Sequence, residues 1–271
     1  MTFRRAALAM SSAALIVVAG CGSASDTGNS ASDSDLPGDA GALTLASFAS
    51  TTSEAQEDAH SVHLDADLGI QGQSMSMSGD IQMGASVQDT SFALDMDTGD
   101  LGGNFSMVLV DETLYMNAGE MTDGKFIEID LRDENHPMGA LYSQLAGQTD
   151  PAAITRALEG AIENLETVGT EEIDGTTTTH YRVEVDARKA LSKTLGDAMP
   201  SGSLDSLPKT MTYDIWVGED DLPRRLDYDM MGTSITLDFT KWGEPVDIKA
   251  PSPSEISDQD PTSLMSPSPM T

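Results

Sequence analysis

Hydrophobic and polar residues alternate along most of residues 62–242, and this period of two constrains the fold more than any other feature of the chain. In residues 75–83, for example, three methionines and an isoleucine occupy odd positions, while serine, aspartate and glutamine occupy the even ones. Successive side chains of a β-strand point to opposite faces, so the pattern predicts strands with one apolar and one polar face. Glycine, aspartate and asparagine interrupt the pattern at short intervals, which is typical of an antiparallel meander. The expected strands cover residues 62–68, 75–83, 92–96, 105–109, 114–116, 126–129, 166–173, 177–185, 210–217, 224–230 and 234–242.

Some segments carry apolar residues at helical spacing instead. The predicted helices cover residues 42–58, 138–145, 151–165 and 187–195. In the first of them Leu45, Phe48, Ala49 and Ala55 share one face. The third has Asp150 as an N-cap and a proline at its first position, which is a typical helix start.

These elements predict an α+β fold. An antiparallel sheet of about 10–11 strands normally curls, and its concave apolar face must then be covered. We therefore expect a strongly curved sheet, or half-barrel, with helices packed on its concave face. Helices that cover this face loosely would leave a cavity.

Residues 1–20 have the features of a secretory signal peptide, because Arg4 and Arg5 precede a short apolar run that small residues close. The run is too short to span a membrane. It ends in Val18-Ala19-Gly20-Cys21, which resembles the bacterial lipobox. This resemblance implies cleavage between Gly20 and Cys21 and transfer of a diacylglyceryl group to the Cys21 thiol. Export by the general secretory route or the twin-arginine route stays open.

The predicted partner at this end of the chain is therefore the membrane, reached on the extracytoplasmic face. A diacylglyceryl group with a further acyl chain buries enough methylene groups for stable anchoring. Residues 21–41 are small, polar and acidic, and we expect a lipidated N-terminus followed by a disordered tether. The folded domain is expected over residues 42–250. The proline- and serine-rich residues 251–271 are expected to form a disordered tail.

Charge and cysteine content limit the partners and the source of stability. Without Arg4 and Arg5, the chain contains 12 basic and 45 acidic residues, which gives a net charge of −33. Such a surface repels nucleic acid and anionic lipid headgroups, so no nucleic-acid partner is expected. Cys21 is the single cysteine, which leaves none for an intrachain disulfide. The hydrophobic core must supply the stability.

Several short motifs resemble a known family. They are Val110-Asp111-Glu112-Thr113-Leu114-Tyr115, Tyr213-Asp214-Ile215-Trp216-Val217, Asp221-Leu222-Pro223-Arg224-Arg225 and Phe239-Thr240-Lys241-Trp242-Gly243-Glu244-Pro245-Val246. In this order, after a lipobox and a polar tether, they resemble the actinobacterial LppX/LprG-type envelope lipoproteins, whose fold is similar to that of LolA and LolB. The resemblance covers residues 42–250. It implies a half-barrel that encloses an apolar pocket for the acyl chains of a lipid or lipoglycan.

Methionines on the apolar faces of the expected strands are the candidate ligand contacts. Methionine is flexible and polarizable, so it suits a pocket that adapts to irregular acyl chains. The alternative is that these residues simply fill the core. The candidate pocket residues are Met75, Met77, Met83, Met96, Met107, Met116 and Met230.

Metal binding and catalysis have weaker support. Met75 and Met77 could bind Cu(I) through their thioethers, but no histidine cluster lies nearby in the sequence. His60 and His63 are expected on opposite sides of the first strand and lack a third zinc ligand. The aspartates at 95, 97 and 100 depart from the spacing of a calcium loop. No catalytic motif is present, so we expect a protein that is not an enzyme and that carries neither cofactor nor metal.

Three functions remain to be compared. The leading hypothesis is an envelope lipoprotein that carries a hydrophobic ligand, most plausibly a lipid, without chemical turnover. The second is a surface interaction or sensor protein that has the same sheet and a filled core. The third is a metal-scavenging lipoprotein. The sequence does not identify protein partners.

Overall fold

The computed structural model describes residues 43–70, 73–99, 103–147, 160–190, 208–230 and 233–258. Two α-helices and eleven β-strands are described there. They are α1 (Leu45–Ala59), β1 (Ser61–Ile70), β2 (Gln73–Gln82), β3 (Ser91–Asp97), β4 (Asn104–Val110), β5 (Thr113–Asn117), β6 (Ile127–Asp130), α2 (Pro137–Gly147), β7 (Ile162–Ile173), β8 (Thr176–Asp186), β9 (Thr210–Gly218), β10 (Pro223–Met230) and β11 (Thr233–Thr240).

All eleven strands form one open antiparallel sheet in the order β6-β5-β4-β3-β2-β1-β11-β10-β9-β8-β7. The first six strands form one meander and the last five form another. The two meanders join in the middle of the sheet, where β1 pairs with β11. This leaves β6 and β7 at the two edges. The predicted α+β fold with a large antiparallel sheet of 10–11 strands is confirmed.

The strand register separates an apolar face from a polar face. One row across β1–β6 consists of Val62, Ile81, Phe92, Leu109, Leu114 and Ile129, each directly opposite the next. A row on the other face of β1–β4 consists of Asp65, Ser78, Asp95 and Ser106. Because directly opposed side chains on one face are close neighbours, each row is continuous. We call the first surface the apolar face and the second the polar face.

Helix α1 covers one end of the apolar face. Its Phe48, only 3% exposed, packs on Tyr181, Val183 and Ile215 of β8 and β9. The rings of Phe48 and Tyr181 meet edge to face with their centroids 5.5 Å apart. The Tyr181 hydroxyl also accepts a 2.8 Å hydrogen bond from the backbone N–H of Leu43, which fixes the start of the helix. Burying these aromatic rings gives this end of the sheet a well-packed core.

Helix α2 packs at the opposite end. Its Met138 and Tyr142 contact a cluster that includes Leu114, Ile127 and Ile129 of β5 and β6. A third cluster lies between the two helices, on the strands around the centre of the sheet. Its buried residues are Val62, Leu64, Ala66, Met77, Ile81 and Leu94. The apolar face therefore carries three clusters in the described part of the chain.

Two predicted helices need correction. Leu45, expected on the inner face of the opening helix, is 45% exposed, and that helix covers Leu45–Ala59. Residues 162–165, expected to end the third helix, belong to β7. A β-bulge between Ile162 and Asn164 shifts the register, so Ile162 and Leu165 pack in the same cluster although they are three residues apart. This spacing imitates a helix. Residues 148–159, where the rest of that helix was expected, lie outside the described residues.

Two other predicted segments, a helix and the C-terminal tail, are described only in part. A helical turn is present at residues 187–190, and the remainder of the helix predicted to residue 195 lies outside the described residues. Residues 251–258 were assigned to the disordered tail, yet they form defined contacts. Phe126 donates its N–H to the carbonyl of Glu255 at 2.8 Å and accepts the N–H of Ser257 at 2.7 Å. Main-chain pairing of this kind leaves no hydrophobic pattern in a sequence rich in proline and serine.

Candidate functional site

The sheet brings most of the candidate methionines together on the apolar face. Met77 of β2 lies directly opposite Met96 of β3, and Met107 of β4 lies opposite Met116 of β5. Met75 lies two residues before Met77 and therefore on the same face. These five residues form a band across β2–β5.

The burial of these side chains differs. Met77 is only 8% exposed and belongs to the central cluster, whereas Met75, Met96, Met107 and Met116 are half-buried. Met83 follows β2 and is half-buried against the central cluster. Met230 is the last residue of β10, and its side chain lies outside the described part of the structure. The candidate set therefore includes one core residue and five partly accessible ones.

The central cluster lies between the two described helices rather than beneath them. Its partly buried members are Leu68, Met83, Phe92, Met96, Leu237, Phe239 and Trp242. In the described part of the chain, neither α1 nor α2 contributes a residue to this cluster. Helix α1 belongs to the cluster on β8 and β9, and α2 belongs to the one on β5 and β6. Among the described side chains, the clusters beneath α1 and α2 are thus separate from the central one.

Two tyrosines extend this surface onto the other half of the sheet. Tyr213 of β9 lies directly opposite Tyr228 of β10 on the apolar face. Burial raises the pKa of Tyr213 well above its usual range and raises the pKa of Tyr228 in the same direction. Both phenols are therefore neutral at physiological pH. They add aromatic surface and hydroxyl groups without adding charge.

Two clefts lined by described residues lie away from the methionines. One, of about 660 Å³, lies over β9–β11 and includes Thr212, Asp214, Asp227 and Thr236 of the polar face. The other cleft, of about 540 Å³, lies between α1 and the β9–β10 turn. It is lined in part by Glu54 and four other acidic or polar residues. No candidate methionine lines either cleft. Both linings contain several polar residues, and Met211, Tyr228 and Ile235 add apolar surface to the larger cleft.

A buried histidine on the polar face was not singled out from the sequence. His180 of β8 is 7% exposed, and its Nδ1 and Nε2 lie 3.1 Å and 2.8 Å from oxygens of Glu171 and Asp214. Its ring stacks on Trp216 with centroids 4.2 Å apart. Arg182 completes the group with a 3.0 Å ion pair to Asp214. These contacts join β7, β8 and β9. The only sequence feature that indicates this group is the alternation, which places its members on the polar face of their strands.

The histidines and aspartates considered as metal ligands have structural partners where they are described, and Asp100 lies outside the described residues. His60 ends α1 in a left-handed conformation (φ 65°) and contacts the carbonyl of Glu57, so it is not part of the first strand as expected. His63 lies on the polar face, with its Nδ1 2.6 Å from Asp80. Asp95 accepts a hydrogen bond from Ser106. Within the described ranges, no group of three or more histidine, cysteine or acidic residues is arranged to hold a metal ion.

The architecture is an α+β fold built on one large open antiparallel sheet with a divided apolar face. The chain belongs to the LppX_LprAFG lipoprotein family, whose model matches residues 44–248. The resemblance found in the sequence is thus confirmed. The family consists of envelope lipoproteins.

Two solved structures share the fold. LppX from Mycobacterium tuberculosis has 17% identity and a TM-score of 0.50, and the alignment covers 76% of this chain and 98% of LppX. LprF from Mycobacterium bovis has 15% identity and a TM-score of 0.51, with 77% and 97% of the two chains covered. No curated protein matches the chain at a significant level. Among the described residues, no helix has both the length and the hydropathy needed to cross a membrane.

Tyr142 of α2 provides a test of the packing at the β6 end of the sheet. Burial, with smaller contributions from Glu112 and Asp89, raises the pKa of Tyr142 from 10.0 to about 12. Between these values the folded state retains a proton that the unfolded state loses, so the free energy of unfolding falls as the pH rises. Below pH 10 this contribution is fully present.

We expect Tyr142→Phe to weaken the decline in stability above about pH 10, because phenylalanine has no proton to lose. Urea unfolding of the natural protein and the variant, at several values between about pH 9 and pH 11.5, measures the effect. Equal slopes in the two proteins would show that Tyr142 is not buried against β5 and β6 as described.

Proposed function

We propose that this protein is a membrane-anchored extracytoplasmic lipoprotein that binds a hydrophobic ligand as a non-catalytic carrier in the cell envelope. The ligand is a lipid or lipoglycan held by its acyl chains. The observation that carries the proposal is the central part of the apolar face, which lies between α1 and α2 and exposes half-buried methionines. Acyl chains match this surface because it is apolar and lined by adaptable side chains.

The expected affinity follows from the surface available. Each buried methylene contributes roughly 0.8 kcal/mol, so about sixteen of them contribute about 13 kcal/mol. The loss of translational and rotational freedom on binding costs about 5 kcal/mol, which leaves about 8 kcal/mol. That free energy corresponds to a dissociation constant of about 1 μM. A face that spans several strands can accommodate a chain of this length, since neighbouring strands lie about 4.8 Å apart. Micromolar or tighter binding of a single long acyl chain is therefore the expected result.

Membrane attachment through Cys21 is the second part of the proposal. We expect Cys21→Ser to release the exported protein from the membrane fraction into the medium or the soluble envelope fraction, because serine offers no thiol for the lipid. Fractionation followed by immunoblotting measures the distribution. Ser23→Ala, two residues beyond the acylation position, is the control and should stay with the membrane. A Cys21→Ser protein that has lost residues 1–20 and still remains fully membrane-bound would contradict anchoring through Cys21.

Binding is best measured on the Cys21→Ser protein, because it carries no acyl chains of its own. After delipidation, it is titrated with a fluorescent fatty acid below the critical micelle concentration of the probe. We expect saturable binding with about one probe per protein. A delipidated, folded protein that does not bind the probe would contradict the proposed function.

The second candidate function is an interaction or sensor protein with a filled core. It is favoured by one observation, which is that the two clefts described above lie away from the methionines. In this alternative the half-buried methionines fill the core and no ligand is held. The titration separates the two candidates.

A further inference from the structure

The chain continues after β11 as a segment with defined contacts at both of its ends. We call residues 241–258 the C-terminal strap. Its first end is fixed at the centre of the sheet, where the N–H of Gly243 donates to the carbonyl of Ser61 at 3.0 Å. The hydroxyl of Ser61 donates in turn to the carbonyl of Glu244 at 2.7 Å. This end is therefore joined to the start of β1.

The other end of the strap pairs with the opposite part of the sheet. The two main-chain hydrogen bonds to Phe126 place Glu255–Ser257 alongside the residue that precedes β6, with Ile256 bridged in parallel to Phe126. A turn supports this pairing, because Ser252 donates its hydroxyl at 2.6 Å and its N–H at 2.9 Å to the carboxylate of Glu255. These hydrogen bonds hold the pKa of Glu255 below its usual range.

The register shows that the strap crosses half of the sheet diagonally. The end of the sheet that contains Ser61 continues through Gln82, Ser91 and Thr113 to Asp130, which ends β6. Phe126 precedes β6 and therefore lies at the opposite end. The eleven residues from Glu244 to Glu255 reach about 36 Å when extended, against about 24 Å for the five strand spacings from β1 to β6. The strap is therefore long enough for this path without being fully extended.

The middle of the strap rests on the protein on one side only. Val246 and Ile248 are half-buried, whereas Pro245, Asp247 and Lys249 are exposed. Among the described residues, the recorded main-chain hydrogen bonds of the strap lie at its two ends, at residues 243–244 and 255–257. Such a segment can detach at one end without breaking a hydrogen bond between two strands of the sheet.

We propose that the C-terminal strap is a releasable latch that ties β6 to the centre of the sheet and controls access to the apolar face. The inference rests on the proposed function. Strand β6 carries Ile127 and Ile129, on which Met138 and Tyr142 of α2 pack, so a shift of β6 moves α2 with it. Helix α2 borders the central cluster, because Phe92 packs against both that cluster and the one beneath α2. Release of the strap at Phe126 thus loosens the end of the sheet that closes one side of the ligand surface.

Two truncations in the Cys21→Ser background test the latch. One ends after Ala250 and removes the Phe126 contacts, and the control ends after Asp258 and keeps them. Hydrogen exchange of the β6 amides is expected to become at least tenfold faster in the shorter protein and to stay unchanged in the control. Release of a bound fluorescent fatty acid is expected to accelerate to a similar extent. Unchanged exchange in the shorter protein would overturn the latch.

Point variants keep the test decisive if the shorter protein does not fold. Glu255→Ala removes the two side-chain hydrogen bonds that support the turn, and Asp258→Ala removes the same charge three residues later. Only Glu255→Ala is expected to accelerate both exchange and release. If the β6 amides exchange faster while release of the fatty acid is unchanged, the strap does not control access to the apolar face. If the intact protein binds no probe, the proposed function fails, while hydrogen exchange still decides whether the strap holds β6.

Discussion

Gly79→Ala is expected to cost about 3 kcal/mol of stability, because a methyl group at this position has no space between β2 and β3. A Cβ atom on Gly79 would lie 2.0 Å from the carbonyl oxygen of Ala93 and 2.9 Å from the Cα of Leu94. Both atoms belong to the backbone, so no side-chain rotation relieves the clash. The β2–β3 pairing must shift, and with it the opposed methionines Met77 and Met96.

Gly169→Ala is the matched control for this prediction. Gly169 is also a strand glycine, yet a Cβ there meets nothing within 4 Å. We expect a change within about 0.5 kcal/mol, since alanine also reduces the freedom of the unfolded chain. Urea unfolding of both variants gives the free energies. A Gly79→Ala protein as stable as the natural one would show that β2 and β3 are not paired in this register.

Met96→Trp is expected to lower the affinity for an acyl probe at least tenfold while changing stability by less than about 1 kcal/mol. Met96 is half-buried on the apolar face, so a larger side chain occupies surface that the ligand would use. Excluding two methylenes of the ligand is sufficient, since each contributes roughly 0.8 kcal/mol and a tenfold change is about 1.4 kcal/mol.

The same variant separates a ligand surface from a filled core. In a filled core the added volume strains the surrounding side chains, typically at a cost of 1–3 kcal/mol. Met121→Trp is the control, because Met121 is 64% exposed on the turn between β5 and β6. It should change neither stability nor probe affinity. A Met96→Trp protein that is strongly destabilised but binds the probe normally would support core filling and contradict the ligand surface.

Much of the fold could be predicted because its main determinant is local. Alternation in residues 75–83 or 105–109 assigns a strand and also the side that faces the core, and every predicted strand is present. Long-range pairing is less visible. The sequence does not indicate that β1 joins β11, which makes one sheet of two meanders. The expectation of one large sheet rested on the number of strands and on the likeness to the lipoprotein family, and neither specified this pairing.

The errors in the sequence interpretation have identifiable physical causes. The β-bulge near Ile162 gave a strand the spacing of a helix. The C-terminal strap is held by main-chain hydrogen bonds, which depend on the position of β6 rather than on hydrophobic side chains. For the site, alternation placed the methionines on one face, but alternation cannot tell a filled core from a ligand surface. That distinction depends on what covers the face between the helices.

Native mass spectrometry of the Cys21→Ser protein, purified from its own envelope without delipidation, tests the central claim most directly. The absence of an N-terminal lipid means that any added mass belongs to a bound molecule. We expect a population with one bound lipid, lost on organic extraction and much reduced in the Met96→Trp variant. A single species with the mass of the polypeptide alone, equal in both proteins, would contradict a carrier that holds a hydrophobic ligand on its apolar face.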